Sequence, residues 1–143
     1  MSKRETPFTR RYWQEVGGTL IEEFPAVRRG KHRGPRLLDG VIVPDGAFEI
    51  RNYKDVEIAD RDIVVVQTKD MRLGMYLMGQ AFFSAKLMEA FGPASIRTVA
   101  VCTGYDEIME PLARAHGIEV IVYDDISAQQ LRNKQELNGV YRN

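Results

Sequence analysis

The fold is decided by the stretch IVVVQTK at positions 63–69, which is the most strongly β-branched part of the chain. β-branched residues favour strands, and seven residues is an ordinary strand length. Gln67 and Lys69 end this otherwise apolar run, and the two-residue period of a strand places both on one face, with Thr68 on the other. Because burying polar groups is costly without partners, the end of this strand is a candidate site for chemistry.

The segments on either side of this strand predict a sheet flanked by helices. The order of predicted elements is α-β-β-β-α-β-α-β, with helices at 8–16, 74–91 and 105–116 and the other strands at 19–27, 37–43, 96–103 and 118–123. Thr9 is a candidate N-cap of the first helix, and residues 46–61 could add a short extra strand. Hairpin-like strands come first and βαβ crossovers follow, which predicts an α/β fold with a mixed central sheet.

Composition predicts a single globular domain without a membrane span. The chain has 143 residues, of which 44% are hydrophobic and 28% charged, and no apolar run approaches the ~20 residues that a span requires. No signal peptide opens the sequence, so a cytoplasmic location is expected. One cysteine and two histidines argue against an intrachain disulfide and a structural zinc site. The core is expected over about 9–123, with 124–143 as a polar C-terminal extension.

Charge is balanced overall but unevenly distributed along the chain. Residues 1–36 contain nine Lys and Arg against four Glu, whereas residues 37–143 contain eleven Lys and Arg against sixteen acidic residues. Basic residues without an acidic neighbour crowd the predicted loop between the first two strands: Arg28, Arg29, Lys31, Arg33 and Arg36. This loop is either a solvated connection or a surface that contacts a phosphate backbone.

Three polar side chains interrupt or end the second and third predicted strands: Asp39, Gln67 and Lys69. If these strands are neighbours, the three side chains converge. Carboxylate and amide oxygens are suitable ligands for Mg²⁺, and a Lys beside them can orient a nucleophile or stabilise charge on a phosphate. Alternatively, Asp39 and Lys69 form a weak surface ion pair at the strand ends.

These residues, in this order of elements, resemble the PD-(D/E)XK nuclease superfamily, which includes many restriction endonucleases, Holliday-junction resolvases and exonuclease-like repair domains. The resemblance covers about residues 9–123. Asp39 matches the first Asp of the motif and Lys69 its Lys, while Gln67 stands where the family usually has Asp or Glu. The resemblance implies a restriction-endonuclease-like fold and hydrolysis of DNA that depends on Mg²⁺ or Mn²⁺, in repair, recombination or restriction. The neutral Gln67 leaves open whether one or two metal ions bind.

An acidic residue on the first helix often ligates metal in this superfamily, and Glu15 is the candidate here. Two alternatives stay open at this point. Either Glu15 is a solvated surface residue, or Glu22 or Glu23 on the following strand takes the role. Because Glu22 and Glu23 are adjacent in a strand, at most one of them faces the site.

The long helix after Lys69 carries Tyr76, Gln80 and Ser84 at a spacing of four residues, which is one polar stripe on an otherwise apolar helix expected to be buried. RecB-like members of the superfamily have a Gln-x-x-x-Tyr motif on this helix. Gln80 matches its Gln, and Ser84 replaces its Tyr. The stripe is therefore a candidate contact for a substrate phosphate or a metal-bound water, or else it packs on the sheet.

The resemblance implies that the basic loop can lie at the edge of the active site, so Arg28, Arg29, Lys31 and Arg33 are expected to contact DNA phosphates without reading sequence. Many relatives dimerise to cut both strands, which implies a homodimer by analogy. The alternative function is a catalytically inactive nuclease fold that binds nucleic acid or a protein partner. A nucleotide-binding module is disfavoured, because no glycine-rich phosphate loop follows a strand.

Overall fold

The computed structural model describes residues 2–125 and 128–137 and contains a six-stranded mixed sheet with helices on both faces. The helices are α1 (Thr6–Val16), α2 (Met75–Met88), α3 (Met109–Ala115) and α4 (Ala128–Leu137). The strands are β1 (Thr19–Val27), β2 (Arg36–Val43), β3 (Glu49–Ile50), β4 (Asp62–Thr68), β5 (Ser95–Cys102) and β6 (Ile118–Val122). The predicted α/β class is confirmed, and the short extra strand predicted within 46–61 is β3.

The sheet has the order β3-β1-β2-β4-β5-β6. Strands β1, β2 and β4 pair in antiparallel fashion, whereas β4, β5 and β6 are parallel. This change of direction follows from the connections. Residues 28–35 join β1 to β2 and residues 44–61, which contain β3, join β2 to β4, whereas helices α2 and α3 make the crossovers between β4, β5 and β6. The second and third predicted strands, β2 and β4, are therefore direct neighbours.

Successive side chains of β4 point to opposite faces of the sheet, and both faces are buried there. Val64 and Val66 pack with Phe8, Tyr12 and Trp13 of α1, while Ile63 and Val65 pack on the opposite face with Met88 of α2. Burial of a side chain of this size contributes about 1.5–3 kcal/mol. The spacing of about four residues between Phe8 and the pair Tyr12 and Trp13 thus places these rings on the buried face of α1.

The first residues of helices α1 and α3 differ from those predicted from the sequence. Helix α1 begins at Thr6 and not near Phe8, because Pro7 is tolerated in a first turn. Helix α3 begins at Met109 and not at Tyr105, and the Asp106 carboxylate accepts the N–H groups of Ile108 and Met109 just before it. At the end of α1, a side chain at Gly18 (φ +82°) would collide with the backbone of Val43, so only glycine fits there.

Helix α2 packs against the sheet as predicted, with one face buried and the other exposed. Leu77, Ala81 and Met88 are buried, but Met75 and Phe83 expose 77% and 65% of their surface. A single helix packed on a sheet exposes its other face to solvent, and in α2 that exposed face carries apolar side chains. Within the described part of the chain, no helix has both the length and the apolar character needed to cross a membrane.

The predicted polar C-terminal extension contains helix α4, which packs against α1. Leu131 joins the aromatic core of α1, and the buried Gln135 donates its side-chain Nε2–H to the carbonyl oxygen of Pro7 at 2.9 Å. This helix is therefore part of the fold. Positions 126–127 and 138–143 of the predicted extension lie outside the described residues.

Candidate active site

Pairing of β2 with β4 brings two of the predicted site residues into contact. Gly40 lies opposite Val66, so the antiparallel register puts Asp39 opposite Gln67. The Asp39 N–H points to the Gln67 side-chain oxygen Oε1 at 3.4 Å, and the Asp39 oxygen Oδ2 accepts the Thr68 N–H at 2.8 Å. Hydrogen bonds between backbone N–H groups and side chains thus take the place of backbone–backbone hydrogen bonds where the pairing of β2 with β4 ends.

The Asp39 carboxylate is largely buried, and it has no ion pair with a Lys, Arg or His side chain of the described residues. Burial raises the pKa of Asp39 to about 6, although the Thr68 N–H partly opposes this shift. The positive charge at the N-terminus of the chain lowers the pKa of Asp39 as well, and the nearby charges of Glu23 and Glu5 raise it. A bound cation would stabilise the charged form of this buried carboxylate. Groups whose pKa is strongly shifted are frequent at functional sites.

Gln67 is buried and held at both ends of its amide. Its Nε2–H donates to the Ser84 hydroxyl of α2 at 2.7 Å, and its Oε1 faces the Asp39 N–H. The amide oxygen has two lone pairs, so it can accept that N–H and still offer a second pair to a metal or water. Ser84 therefore touches Gln67 and fixes the direction in which its oxygen points.

Lys69 follows directly after β4. Its ammonium lies 5.4 Å from the ring centroid of Tyr76, an exposed residue in the first turn of α2. Within residues 2–125 and 128–137, Lys69 makes no ion pair, with Asp39 or with any other acid. The alternative of a direct Asp39–Lys69 surface ion pair is therefore absent from the described structure.

A small cavity of about 200 Å³ lies on the α2 side of this strand end, and its lining includes Arg36, Gln67, Gln80 and Ser84. No described group forms a hydrogen bond with the Gln80 side-chain amide. Of the predicted stripe on α2, Gln80 therefore faces the cavity, Ser84 is bonded to Gln67, and Tyr76 lies beneath the Lys69 ammonium.

Glu15 lies elsewhere. It accepts the Tyr123 hydroxyl at 2.7 Å and pairs with Arg11 at 3.4 Å. The residue of α1 that reaches the strand end is Thr9, whose hydroxyl is 2.7 Å from that of Thr68. Since a helix rises 1.5 Å per residue, Glu15 lies about 9 Å further along α1.

Glu23 is the acidic residue nearest to Asp39 in the register of β1 and β2. Glu22 lies opposite Gly40 and Phe24 opposite Leu38, which puts Glu23 opposite Asp39. Its backbone has φ +54°, a conformation that a non-glycine residue rarely adopts and that interrupts the alternation of the strand. Glu22 instead pairs with Arg10 at 2.8 Å. Sequence reasoning named both residues but could not choose between them, because only the backbone conformation separates them.

The oxygens of Asp39 and Gln67 fit the preference of Mg²⁺, which takes few protein ligands and keeps water and phosphate oxygens. The described residues contain no group of three or more His, Cys, Asp or Glu side chains arranged to hold a metal ion. The donor set of this strand end is therefore one carboxylate and one amide, with Glu23 on the adjoining strand.

The predicted basic loop connects β1 to β2 at the same end of the sheet. We call residues 28–36 the basic hairpin. Backbone hydrogen bonds between Gly30 and Arg33 close it and leave Lys31 and His32 at the tip. No ion pair within the described residues engages any of its cations: Arg28, Arg29, Lys31, Arg33 and Arg36. The hairpin thus presents uncompensated positive charge beside Asp39.

No protein-family model, curated protein or solved structure matches this chain. The geometry of the strand end and the hairpin therefore carries the functional argument.

Proposed function

We propose that this protein hydrolyses phosphodiester bonds of DNA with the help of Mg²⁺ or Mn²⁺, as a nuclease of the PD-(D/E)XK type. One observation carries the proposal. Asp39 is a largely buried acid that no Lys, Arg or His side chain of the described residues pairs with. Its carboxylate accepts the Thr68 N–H and its own backbone N–H points to the Gln67 amide oxygen, at the end of the sheet from which the basic hairpin projects. The motif spacing of Asp39, Gln67 and Lys69 and the order of elements around them support it.

In this proposal the oxygens of Asp39 and Gln67 hold the metal ion, and Ser84 keeps the Gln67 oxygen directed toward it. A bound Mg²⁺ or Mn²⁺ supplies Lewis-acid polarisation of the phosphate and a more acidic water. We place Glu23, and not Glu15, beside Asp39 as the further acidic group, because Glu23 lies opposite Asp39 in the register of β1 and β2.

Lys69 has the chemistry of the remaining catalytic group. Its ammonium can orient the attacking water or neutralise the charge that grows on the phosphate oxygens. Without an ion pair in the described structure, this cation can approach a substrate phosphate with no acidic partner to displace. The Tyr76 ring holds it through a cation–π contact, and Gln80 is the adjacent donor for a phosphate oxygen.

The basic hairpin is the binding surface for the DNA backbone. Its five cations neutralise phosphates and confer no sequence preference. A homodimer that cuts both strands and a cytoplasmic location stay predictions.

Cleavage assays with linear, single-stranded and supercoiled DNA test the proposal. We expect products with Mg²⁺ or Mn²⁺, none with EDTA, and none from Asp39→Asn or Lys69→Ala. Calorimetric titration of Mn²⁺ should show a site in the wild type that Asp39→Asn loses. Cleavage that persists in both variants would exclude this active site.

The second candidate is a nuclease fold that binds DNA without cutting it. The neutral Gln67 favours it, since an active site with one firm carboxylate holds a metal weakly. DNA binding through the basic hairpin, with no cleavage in either metal and no Mn²⁺ site at Asp39, would select this function instead.

A further inference from the structure

A second concave site lies next to the candidate active site and has a different chemistry. It is a groove of about 370 Å³ lined by the end of β1, the start of the basic hairpin and two short 3₁₀ turns at 53–55 and 89–91. We call it the aromatic groove, because Phe24, Tyr53 and Phe91 line it. Arg28 and Arg33 also line the groove, and none of the described lining residues is acidic.

The three rings have distinct roles in this groove. Phe24 is only 3% exposed and forms its floor, with Tyr53 and Phe91 edge-on to it at centroid distances of 6.2 and 5.2 Å. Phe91 is 36% exposed and Tyr53 is partly exposed, so ring surface of both is open to a ligand. An open apolar slot between aromatic walls suits a flat ring system.

Cations surround the same slot. The Arg28 guanidinium and the Lys54 ammonium each lie 5.9 Å from the Tyr53 ring centroid. Aromatic rings beside unpaired Arg and Lys are the combination with which proteins bind single-stranded nucleic acid, because a base stacks while its phosphates meet the cations. In a duplex the base faces are covered by neighbouring bases, so only an unpaired base can enter.

The groove and the active site share neighbouring strands. Phe24 lies opposite Leu38 in the register of β1 and β2, and Leu38 lines the cavity that contains Gln67 and Gln80. Phe24 and Leu38 also pack together on the α2 side of the sheet. A strand with one base in the aromatic groove therefore has its backbone beside the basic hairpin and close to Asp39.

We propose that the aromatic groove binds an unpaired nucleobase, so that the substrate is DNA with a single-stranded segment next to the bond to be cut. The substrate part of this inference rests on the proposed nuclease function, whereas the binding of an unpaired base does not. Tyr53 and Phe91 stack on the base, and Arg28 and Arg33 hold the phosphates beside it.

Fluorescence anisotropy in EDTA, where nothing is cleaved, tests the groove directly. The probes are one labelled duplex with a blunt end, the same duplex with an oligothymidine overhang, and the same duplex with an abasic overhang of equal length and charge. We expect wild type to bind the thymidine overhang about 5- to 30-fold more tightly than the abasic one, as expected for base stacking. Tyr53→Leu should abolish that preference, because leucine still packs on Phe24 but cannot stack.

Two further variants keep the test decisive. Phe91→Leu should weaken the same preference and replaces Tyr53→Leu if that protein melts early. Phe48→Leu is the matched control, since Phe48 is 61% exposed and stacks on Trp13 at 4.4 Å, outside the groove. It should leave the preference unchanged.

Equal affinity for thymidine and abasic overhangs, or a preference that survives in both Tyr53→Leu and Phe91→Leu, would overturn the inference. Binding of an acidic aromatic peptide without binding of any DNA would overturn it as well and assign the groove to a protein partner. Cleavage is scored separately with Mg²⁺. Cleavage without a thymidine preference removes only the groove proposal, and a Tyr53-dependent preference without cleavage removes only the nuclease proposal.

Discussion

Glu15 and Asp39 are two carboxylates near opposite ends of α1, and their surroundings differ in kind. Glu15 has a cation, Arg11, and a hydroxyl donor, Tyr123, whose own pKa is raised by burial and by this hydrogen bond. Asp39 is more deeply buried, has one backbone N–H, and has no cationic side chain of the described chain in contact. The Glu15 cluster contains its own side-chain cation, whereas no side-chain cation of the described residues pairs with Asp39. On the proposed function, that difference separates a structural ion pair from a site for a bound cation.

Of the substitutions that test this difference between the two carboxylate sites, loss of the Lys69 ammonium should have the largest effect on DNA cleavage. We expect Lys69→Ala to abolish detectable DNA cleavage, a loss of at least about 10²–10⁴-fold, because a positioned proton-transfer or charge-stabilising group contributes that much. Thermal melting should change little, since Lys69 has no ion pair to lose within the described residues. The readout is the cleavage rate at saturating DNA and metal.

Lys86→Ala is the matched control for Lys69→Ala. Lys86 also lies over an aromatic ring, that of Phe82 at 5.3 Å, but it pairs with Glu89 and follows α2 away from Asp39. Cleavage should be unaffected. Equal rates for the two variants would remove Lys69 from the mechanism.

Removal of the Asp39 charge should abolish cleavage and at the same time stabilise the fold. A pKa raised from 3.8 to about 6 means that the folded state binds the proton more tightly than the unfolded state. Stability therefore falls as pH rises from about 4 to about 6 and stays lower above that range. Asn cannot ionise and keeps an acceptor for Thr68, so Asp39→Asn should gain up to about 3 kcal/mol in free energy of unfolding at pH 7.5 and almost nothing at pH 4.

Urea unfolding at the two pH values measures this gain. Glu15→Gln is the comparison variant and should gain nothing, because it gives up the ion pair with Arg11. A more stable Glu15→Gln combined with a destabilised Asp39→Asn would reverse the distinction between the two carboxylates.

Charge reversal in the basic hairpin should have a smaller effect on binding. Arg28→Glu with Arg29→Glu should weaken DNA binding about 10- to 100-fold at low salt. The slope of log affinity against log salt should become shallower by about 2, because each phosphate contact contributes about 0.9. Arg51→Glu with Lys86→Glu changes the net charge equally, yet alters residues already paired with Glu49 and Glu89. A similar loss in both double variants would mean that net charge alone drives binding.

The smallest expected effect concerns the support of Gln67. Ser84→Ala leaves the buried Gln67 Nε2 without its acceptor and should cost about 1–2 kcal/mol in free energy of unfolding. It should also weaken Mn²⁺ binding, whereas Ser95→Ala, which removes an exposed hydrogen bond to Asp62, should do neither. Unchanged Mn²⁺ affinity in Ser84→Ala would show that Gln67 does not need to be held in place.

The amino-acid sequence was sufficient for most of the elements and named the residues from which the candidate site is built. Two-residue alternation in 63–69 predicted Gln67 and Lys69 on one face, and the early hairpin strands followed by helical crossovers predicted the mixed sheet. These features depend on local periodicity and turn residues, which are visible in one dimension.

Three-dimensional packing decided the remainder. The register of β2 against β4 put Asp39 opposite Gln67, and the direction in which α1 crosses the sheet brought Thr9 to the site and carried Glu15 away from it. The positive φ of Glu23 and the aromatic groove also arise only once distant segments meet. Burial, register and the angle between a helix and a sheet depend on contacts between residues far apart in sequence, so no local pattern could have specified them.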